Sequence, residues 1–519
     1  MSRQPSEIAA ARRRLAARIW RHTDGQGLIT APCRSRALES ALALRLLQAQ
    51  GFSGPERGRL IAFLERTRRT STPGSLDSLL AGAALGTEAP AGASVERALD
   101  RFDHFTRGRK QVLMRAVRVV LDGAPVAGAA PPGRPPQERL TPWSTALSTA
   151  CQVILGAAPG PPRLTTLLFA QRSPGIWEGH LLCHLLTLHA LRRVPGQEAV
   201  VADGTARMLA RQNADGGIPF ICGEETYATA VAVVGLALGR SPDQGRPLLA
   251  LADRLRALQD DDGGWAYAPD VRQTDVDTTG VCVEALRAVD PLRYREAING
   301  AGAYLRARRG ADGGFPTYLP GAPSEAVMTA AAARALDLDE PDTPELLGGA
   351  LAFIAAHQSP QGTYGPGWSR CDAHAVFRTV LALRRARSLP DPGLRRTARR
   401  ATESGLGHLV RTQNPDGGWG QREGEASDAI STALSLATLA GSPAAPPLVV
   451  HRGTGRLLAC ESSDGSFPSR PDSTGPRGLV FDVPVLSDVY VLLALARLAT
   501  PRHARSQGVA RSFRPGVPV

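Results

Sequence analysis

Lysine is almost missing from this chain: of 61 basic residues in 519, only Lys110 is not arginine. A net charge of +13 and a pI near 10.1 would otherwise suggest a phosphate backbone as partner. The arginines are spread along the sequence instead of gathered in a patch, and they accompany the glycine and proline excess of a coding sequence with biased base composition. Nucleic acid is therefore not the expected partner, whereas a small anionic substrate such as a diphosphate suits the charge. The seven cysteines (33, 151, 183, 222, 282, 371 and 460) are odd in number, scattered, and never spaced C-x-x-C. That excludes a disulfide framework and a zinc knuckle and points to a reducing, cytoplasmic setting. No apolar run reaches membrane-spanning length, and the start M-S-R-Q-P-S-E-I has no signal-peptide stretch. The basic, amphipathic segment 11–22 allows at most a peripheral membrane contact and reads better as a helix packed on its own domain.

What the chain does have is a repeat. Turn signatures recur as Q-N-A-D-G-G-I (212–218), Q-D-D-D-G-G-W (259–265), R-G-A-D-G-G-F (309–315), Q-S-P-Q-G-T-Y (358–364), Q-N-P-D-G-G-W (413–419) and C-E-S-S-D-G-S-F (460–467), in steps of 47, 50, 49, 55 and 48 residues. Between them lie Ala/Leu/Val-rich stretches with helical spacing and few strand formers. A period near fifty residues holds two helices and their connections, and hairpins that cannot bury an apolar face alone close on one another. The expected fold is all-α: an (α/α)6 barrel over 196–500 and a second, smaller α-helical, barrel-like domain over 25–195. The Pro/Gly-rich stretch 123–136 reads as a loop, residues 1–24 as a separate segment, and 501–519 as a disordered tail.

Aligning the stretches after each turn exposes one irregularity. An acid recurs at a single register: Glu225, Asp275, Glu325, Asp372, Asp428 and Asp488. Such an acid suits a helix entry, where free N–H groups and the positive end of the dipole face it. Two residues on stand Tyr227, Asp277, Val327, His374, Ile430 and Tyr490, and only Asp277 is a carboxylate. In a closed barrel this register rings the mouth of one cavity. A departure from an otherwise regular scaffold is where a functional residue is expected.

A carboxyl group in an apolar cavity resists ionisation, and a neighbouring carboxylate resists it further. Kept neutral, it can protonate a group as weakly basic as an alkene. Tyr227, Tyr490, Trp368 and Tyr364 offer the electron-rich faces that a resulting carbocation needs. His374 shares the ring and is a possible hydrogen-bond partner for the acid.

The D-x-D-T-T form at 275–279, together with the repeated Q-x-x-D-G-G-W turns, resembles the class II terpene cyclases, which include squalene-hopene cyclase and bacterial diterpene cyclases. The resemblance covers most of the chain and is best from about residue 170 on. It implies that Asp277 is the general acid and Asp275 its support. Thr278 stands where many members carry a third acid, which leaves open how Asp277 is recharged. It also implies a β barrel, a γ domain, and a basic segment 1–24 that returns to pack on the barrel. The D-G-G-W turns are expected to be structural. The short γ region suggests a prenyl diphosphate that keeps its diphosphate. Geranylgeranyl diphosphate, giving a labdane-type bicycle, is the first expectation. Farnesyl diphosphate, giving a drimane type, is the second, and a squalene-hopene-like triterpene reaction the third. The retained diphosphate would pass to a downstream class I terpene synthase. The family further implies Mg2+ held by acids of the γ region, for which Glu178 in W-E-G-H is the candidate.

Three rival readings carry distinct requirements. A protein prenyltransferase β subunit needs zinc, for which Cys371, Asp372 and His374 are the crowded place, although adjacent residues do not converge. A complement-like thioester at I-C-G-E-E (221–225) lacks its glutamine. A non-catalytic helical toroid used for protein contact would tolerate loss of Asp277.

Overall fold

The structure, a computed structural model, describes residues 4–87, 104–123, 140–239, 245–337, 339–365, 367–440 and 442–500. The expected tail at 501–519 and nearly all of the Pro/Gly-rich stretch 123–136 lie outside them. The chain forms two compact units. One comprises residues up to Ala31, Glu224–Ser473 and the chain from Val483; the other comprises Pro32–Gly223 and Thr474–Asp482.

In the first unit six helices, Glu225–Leu238, Val276–Val289, Ala326–Ala335, Asp372–Leu383, Ala429–Leu439 and Val485–Ala499, each pack between two others and close a ring. We call them inner helices one to six. They are apolar nearly all round, as expected of helices sheathed on every side. Five outer helices, Gly245–Ala257, Arg295–Arg306, Thr343–Ala356, Pro392–Arg411 and Pro447–Leu458, bury one stripe each. The sixth outer place is taken by the N-terminal helix Gln4–Arg21, which packs on inner helix six and on the last outer helix. Its apolar residues Ile8, Ala11, Leu15 and Ile19 are buried, and its arginines pair with the barrel. Arg14 meets Glu461 at 2.7 Å, and Arg18 meets Asp464 and Asp488 at 3.0 Å each. The basic segment is thus the closing piece of an (α/α)6 barrel.

The repeated turns tie outer helices together. Gln259 Nε2 donates to the carbonyls of Gly263 and Ala297, both at 2.8 Å, and Gln413 Nε2 donates to those of Gly417 (2.7 Å) and Val449 (2.8 Å). Trp265 and Trp419 are buried and donate Nε1–H to the carbonyls of Leu255 and Leu409, each at 2.6 Å. Gly263 has φ +85°, and a Cβ there would sit 2.4 Å from the Gly300 carbonyl oxygen. The turn therefore requires glycine both for its backbone and for its approach to the next outer helix.

In the second unit the helices Ala37–Ala49, Leu76–Leu85, Arg107–Asp122, Pro142–Ile154 and Leu181–Leu191 neighbour one another in a closed order. Pro55–Thr70, Pro161–Phe169 and Glu198–Leu209 flank them, making a second, smaller barrel-like domain. The first of the six turns, 212–218, belongs here: Gln212 Nε2 donates to the Glu56 carbonyl at 3.0 Å. The boundaries accordingly fall at 31/32 and 223/224, not at 24/25 and 195/196, and residues 474–482 join the second unit.

Candidate active site

Asp275 caps inner helix two, accepting hydrogen bonds from the Thr278 backbone N–H (2.7 Å) and hydroxyl (2.8 Å). Three repeats later Asp428 does the same to Ser431, at 2.9 and 2.8 Å. One capping unit is thus built twice, and in the second copy the residue that matches Asp277 is Ile430. Thr278 belongs to this cap and does not stand in for a third acid. Burial and the Asp277 charge push the Asp275 carboxyl up to about 7, against the opposing bonds from Thr278.

Asp277 faces inward, its side chain 16% exposed, and its partner is Arg378, 5% exposed. Arg378 lies on inner helix four, which is not adjacent to inner helix two, so the pair spans the lumen. Burial raises the Asp277 pKa, Arg378 pulls it down, and Glu284 raises it; the balance lies above the ordinary carboxylate value. Glu284, two turns deeper on the same helix, pairs with Arg334 of inner helix three. Charges thus alternate below the acid as Asp277, Arg378, Glu284 and Arg334. Glu224, at the entry to inner helix one, is a further acid near Asp277, pushed up to about 8 by burial and by Asp275, Glu225 and Asp277.

The expected partnership of His374 with Asp277 is not formed. Among the described residues no hydrogen bond joins them, and Arg378, one turn deeper than His374, takes the carboxylate because its long side chain reaches across the lumen. His374 is buried, its ring edge-on to Tyr490 at 5.9 Å between centroids, and its Nε2 has no hydrogen-bond partner among the described residues. The Tyr490 and Tyr227 hydroxyls bond each other at 3.0 Å across neighbouring inner helices.

A narrow cleft with a cavity volume of only about 20 Å³ opens on this ring. Asp277, His374, Tyr364, Trp368 and Met328 line it. Trp368 is oriented by its Nε1–H bond to the Thr317 hydroxyl (3.1 Å) and by Tyr318 edge-on at 5.9 Å. Tyr227 and Tyr490 adjoin through His374 and Arg378 and are not part of the lining.

Glu178 lies in the second unit. It is buried and holds a left-handed backbone, φ 53° and ψ 22°, which for a non-glycine residue is a local cost. Among the described residues no group of three or more His, Cys, Asp or Glu converges as a metal site. No step below is routed through Mg2+. The zinc reading fails locally as well: the buried Cys371 thiol donates to the Ser431 hydroxyl at 3.2 Å, and Asp372 faces Arg422 at 4.0 Å. No described helix is long and apolar enough to cross a membrane.

A toroid of this kind recurs in ent-copalyl diphosphate synthase from Streptomyces platensis, with a TM-score of 0.61 over 96% of this chain and 100% of that one at 19% identity, a likeness of fold. No protein-family model matches the chain. Relatives at 40% identity over nearly the whole length nevertheless place it: the chain belongs to the class II terpene cyclases, enzymes that open cyclisation by protonation. Those relatives are the drimenyl diphosphate synthases of Streptantibioticus cattleyicolor (96% of each chain covered) and Streptomyces showdoensis (95% of each). A squalene-hopene cyclase of Bradyrhizobium diazoefficiens is 24% identical over 286 residues, 48% of this chain and 42% of its own.

Proposed function

We propose that the chain cyclises farnesyl diphosphate to a drimane-type bicyclic diphosphate with the diphosphate retained. The order expected from the family resemblance, geranylgeranyl first, is reversed because both near full-length relatives carry the drimenyl name. The observation that carries the chemistry is Asp277, the one carboxylate of its register, buried inside the ring of inner helices and paired there with Arg378.

In this reading the Asp277 O–H adds its proton to the terminal alkene, forming a C–H bond and leaving a tertiary cation. Successive alkenes attack it, closing two rings. The Trp368 and Tyr364 rings offer their negative faces to the cations. The carboxylate left behind stays paired with Arg378, so charge separates in the step without an orphaned anion. The carbon–oxygen bond to the diphosphate is never broken, in keeping with the absence of any D-D-x-x-D sequence, the D-D-D at 260–262 belonging to a turn.

Incubation with C15 and C20 prenyl diphosphates and with squalene, extraction with and without phosphatase, and mass spectrometry test this. A bicyclic C15 alcohol seen only after phosphatase, and lost in Asp277→Asn, is expected. Turnover of squalene alone, release of hydrocarbon without phosphatase, or an active Asp277→Asn enzyme overturns it.

A further inference from the structure

After two rings close, the cation must lose a proton, and Asp277 is poorly placed to take it. Its carboxylate is held by Arg378 beside the carbon it has just protonated, whereas the last cationic centre lies at the far side of the bicycle. A second acceptor on the same cleft is needed. Among the polar side chains there, Asp372 faces Arg422, the Ser369 hydroxyl donates to Asp472 at 2.7 Å, and Arg370 is a cation. Tyr364 offers a phenol, a far weaker base than an imidazole. His374 is nineteen-twentieths buried, lines the cleft with Asp277, and carries an Nε2 without a hydrogen-bond partner. A buried, unpaired ring nitrogen is costly unless something uses it.

We propose that His374 is the base that ends the cyclisation. Its Nε2 takes a proton from a carbon next to the last cationic centre; the C–H electron pair becomes the new C=C bond and the imidazole becomes imidazolium. The imidazolium then gives its proton to solvent and the Asp277 carboxylate regains one from solvent, so acid and base are both restored and no co-reactant is consumed. The electrostatics run the same way. Burial and the Arg378 charge hold His374 down to about 3 while Asp277 lies above its ordinary value, so of the two groups the carboxyl binds a proton more tightly. The edge-on Tyr490 ring keeps the imidazole directed into the cleft.

This inference rests on the cyclase reading above, and its test separates the two. His374→Phe keeps the ring volume and His374→Gln a polar side chain, so the assay uses whichever melts like the parent. With farnesyl diphosphate and phosphatase work-up, we expect kcat to fall at least tenfold with KM within threefold. The single olefin should give way to water-captured alcohols or mixed double-bond isomers. Both variants should still take up solvent deuterium at the protonated end, since Asp277 is intact. A single unchanged olefin at parental kcat in a folded variant overturns the proposal. If the parent itself forms no bicycle from farnesyl diphosphate, the function reading fails instead.

Discussion

Arg378 and Asp277 meet across the barrel lumen from inner helices that are not neighbours in the ring. The pairing has two opposed consequences. A cation beside the carboxyl lowers the fraction protonated at rest, and it makes that proton easier to give up. Asp277 must be protonated to act, so activity falls as pH rises through its pKa. Arg378→Met removes the main group pulling that pKa down, while Glu284, Glu325 and Asp275 remain to push it up. The descending limb of kcat/KM should therefore move about one to three pH units upward, and the maximal rate should drop about ten- to a thousandfold because the acid is weaker. Arg378→Lys should hold the limb near its original place. A pH profile of the three proteins decides it: an unmoved limb in Arg378→Met removes the role.

The Asp275–Thr278 cap separates scaffold from chemistry. Thr278→Ala should cost about 1 kcal/mol, as Ser431→Ala should at the matching cap of inner helix five, and both should leave the product unchanged. Asp275→Asn keeps a good cap but removes a titration. The folded Asp275 carboxyl stands at about 7, above its ordinary value of 3.8, so between those values the native state holds more proton than the unfolded one. Its contribution favours folding at low pH and is lost as pH rises from about 4 to 7. Urea midpoints followed from pH 5 to 8 should therefore decline less steeply in Asp275→Asn than in the parent.

Trp265 and Trp419 supply a similar control. Each Nε1–H satisfies a carbonyl at the end of an outer helix, so replacement by Phe strips that buried carbonyl of its indole donor, leaving Leu255 only the Leu258 N–H at 3.1 Å. A loss of about 1–3 kcal/mol in urea unfolding is expected for each. Phosphatase-released products should keep the parental ratio, since neither ring lines the cleft.

The fifty-residue period gave away the barrel because each hairpin buries its face only against the next, and the same alignment singled out Asp277 as the lone carboxylate of its register. Arg378 was hidden by the same logic. It lies one turn below that register and acts on a helix two places away, a relation no local spacing records. The available signal was a single arginine in D-A-H-A-V-F-R-T-V-L-A-L, since a buried cation demands a partner. The unit boundary was missed for a related reason: the 212–218 turn has the repeat's chemistry, but Gln212 donates to Glu56 and both belong to the second unit. A motif reports local geometry and not which core it joins.

The N-terminal helix yields the last prediction. Five hairpins and one leftover inner helix cannot sheath a six-membered ring, and Gln4–Arg21 fills the gap. If that filling is what closes the barrel, its apolar stripe should matter more than its charges. Leu15 is fully buried, and Leu15→Ala should cost about 2–5 kcal/mol. Arg14→Ala, in a pair whose arginine is 56% exposed, should cost about 1 kcal/mol or less. Arg18→Met should fall between them, because it leaves Asp488, 7% exposed, without its cation. Deleting residues 4–21 would bare the apolar side of inner helix six, and the protein should aggregate or melt well below the parent. Urea midpoints with light scattering measure all four; a truncated chain that stays monomeric with the parental midpoint would show that the ring closes without the helix.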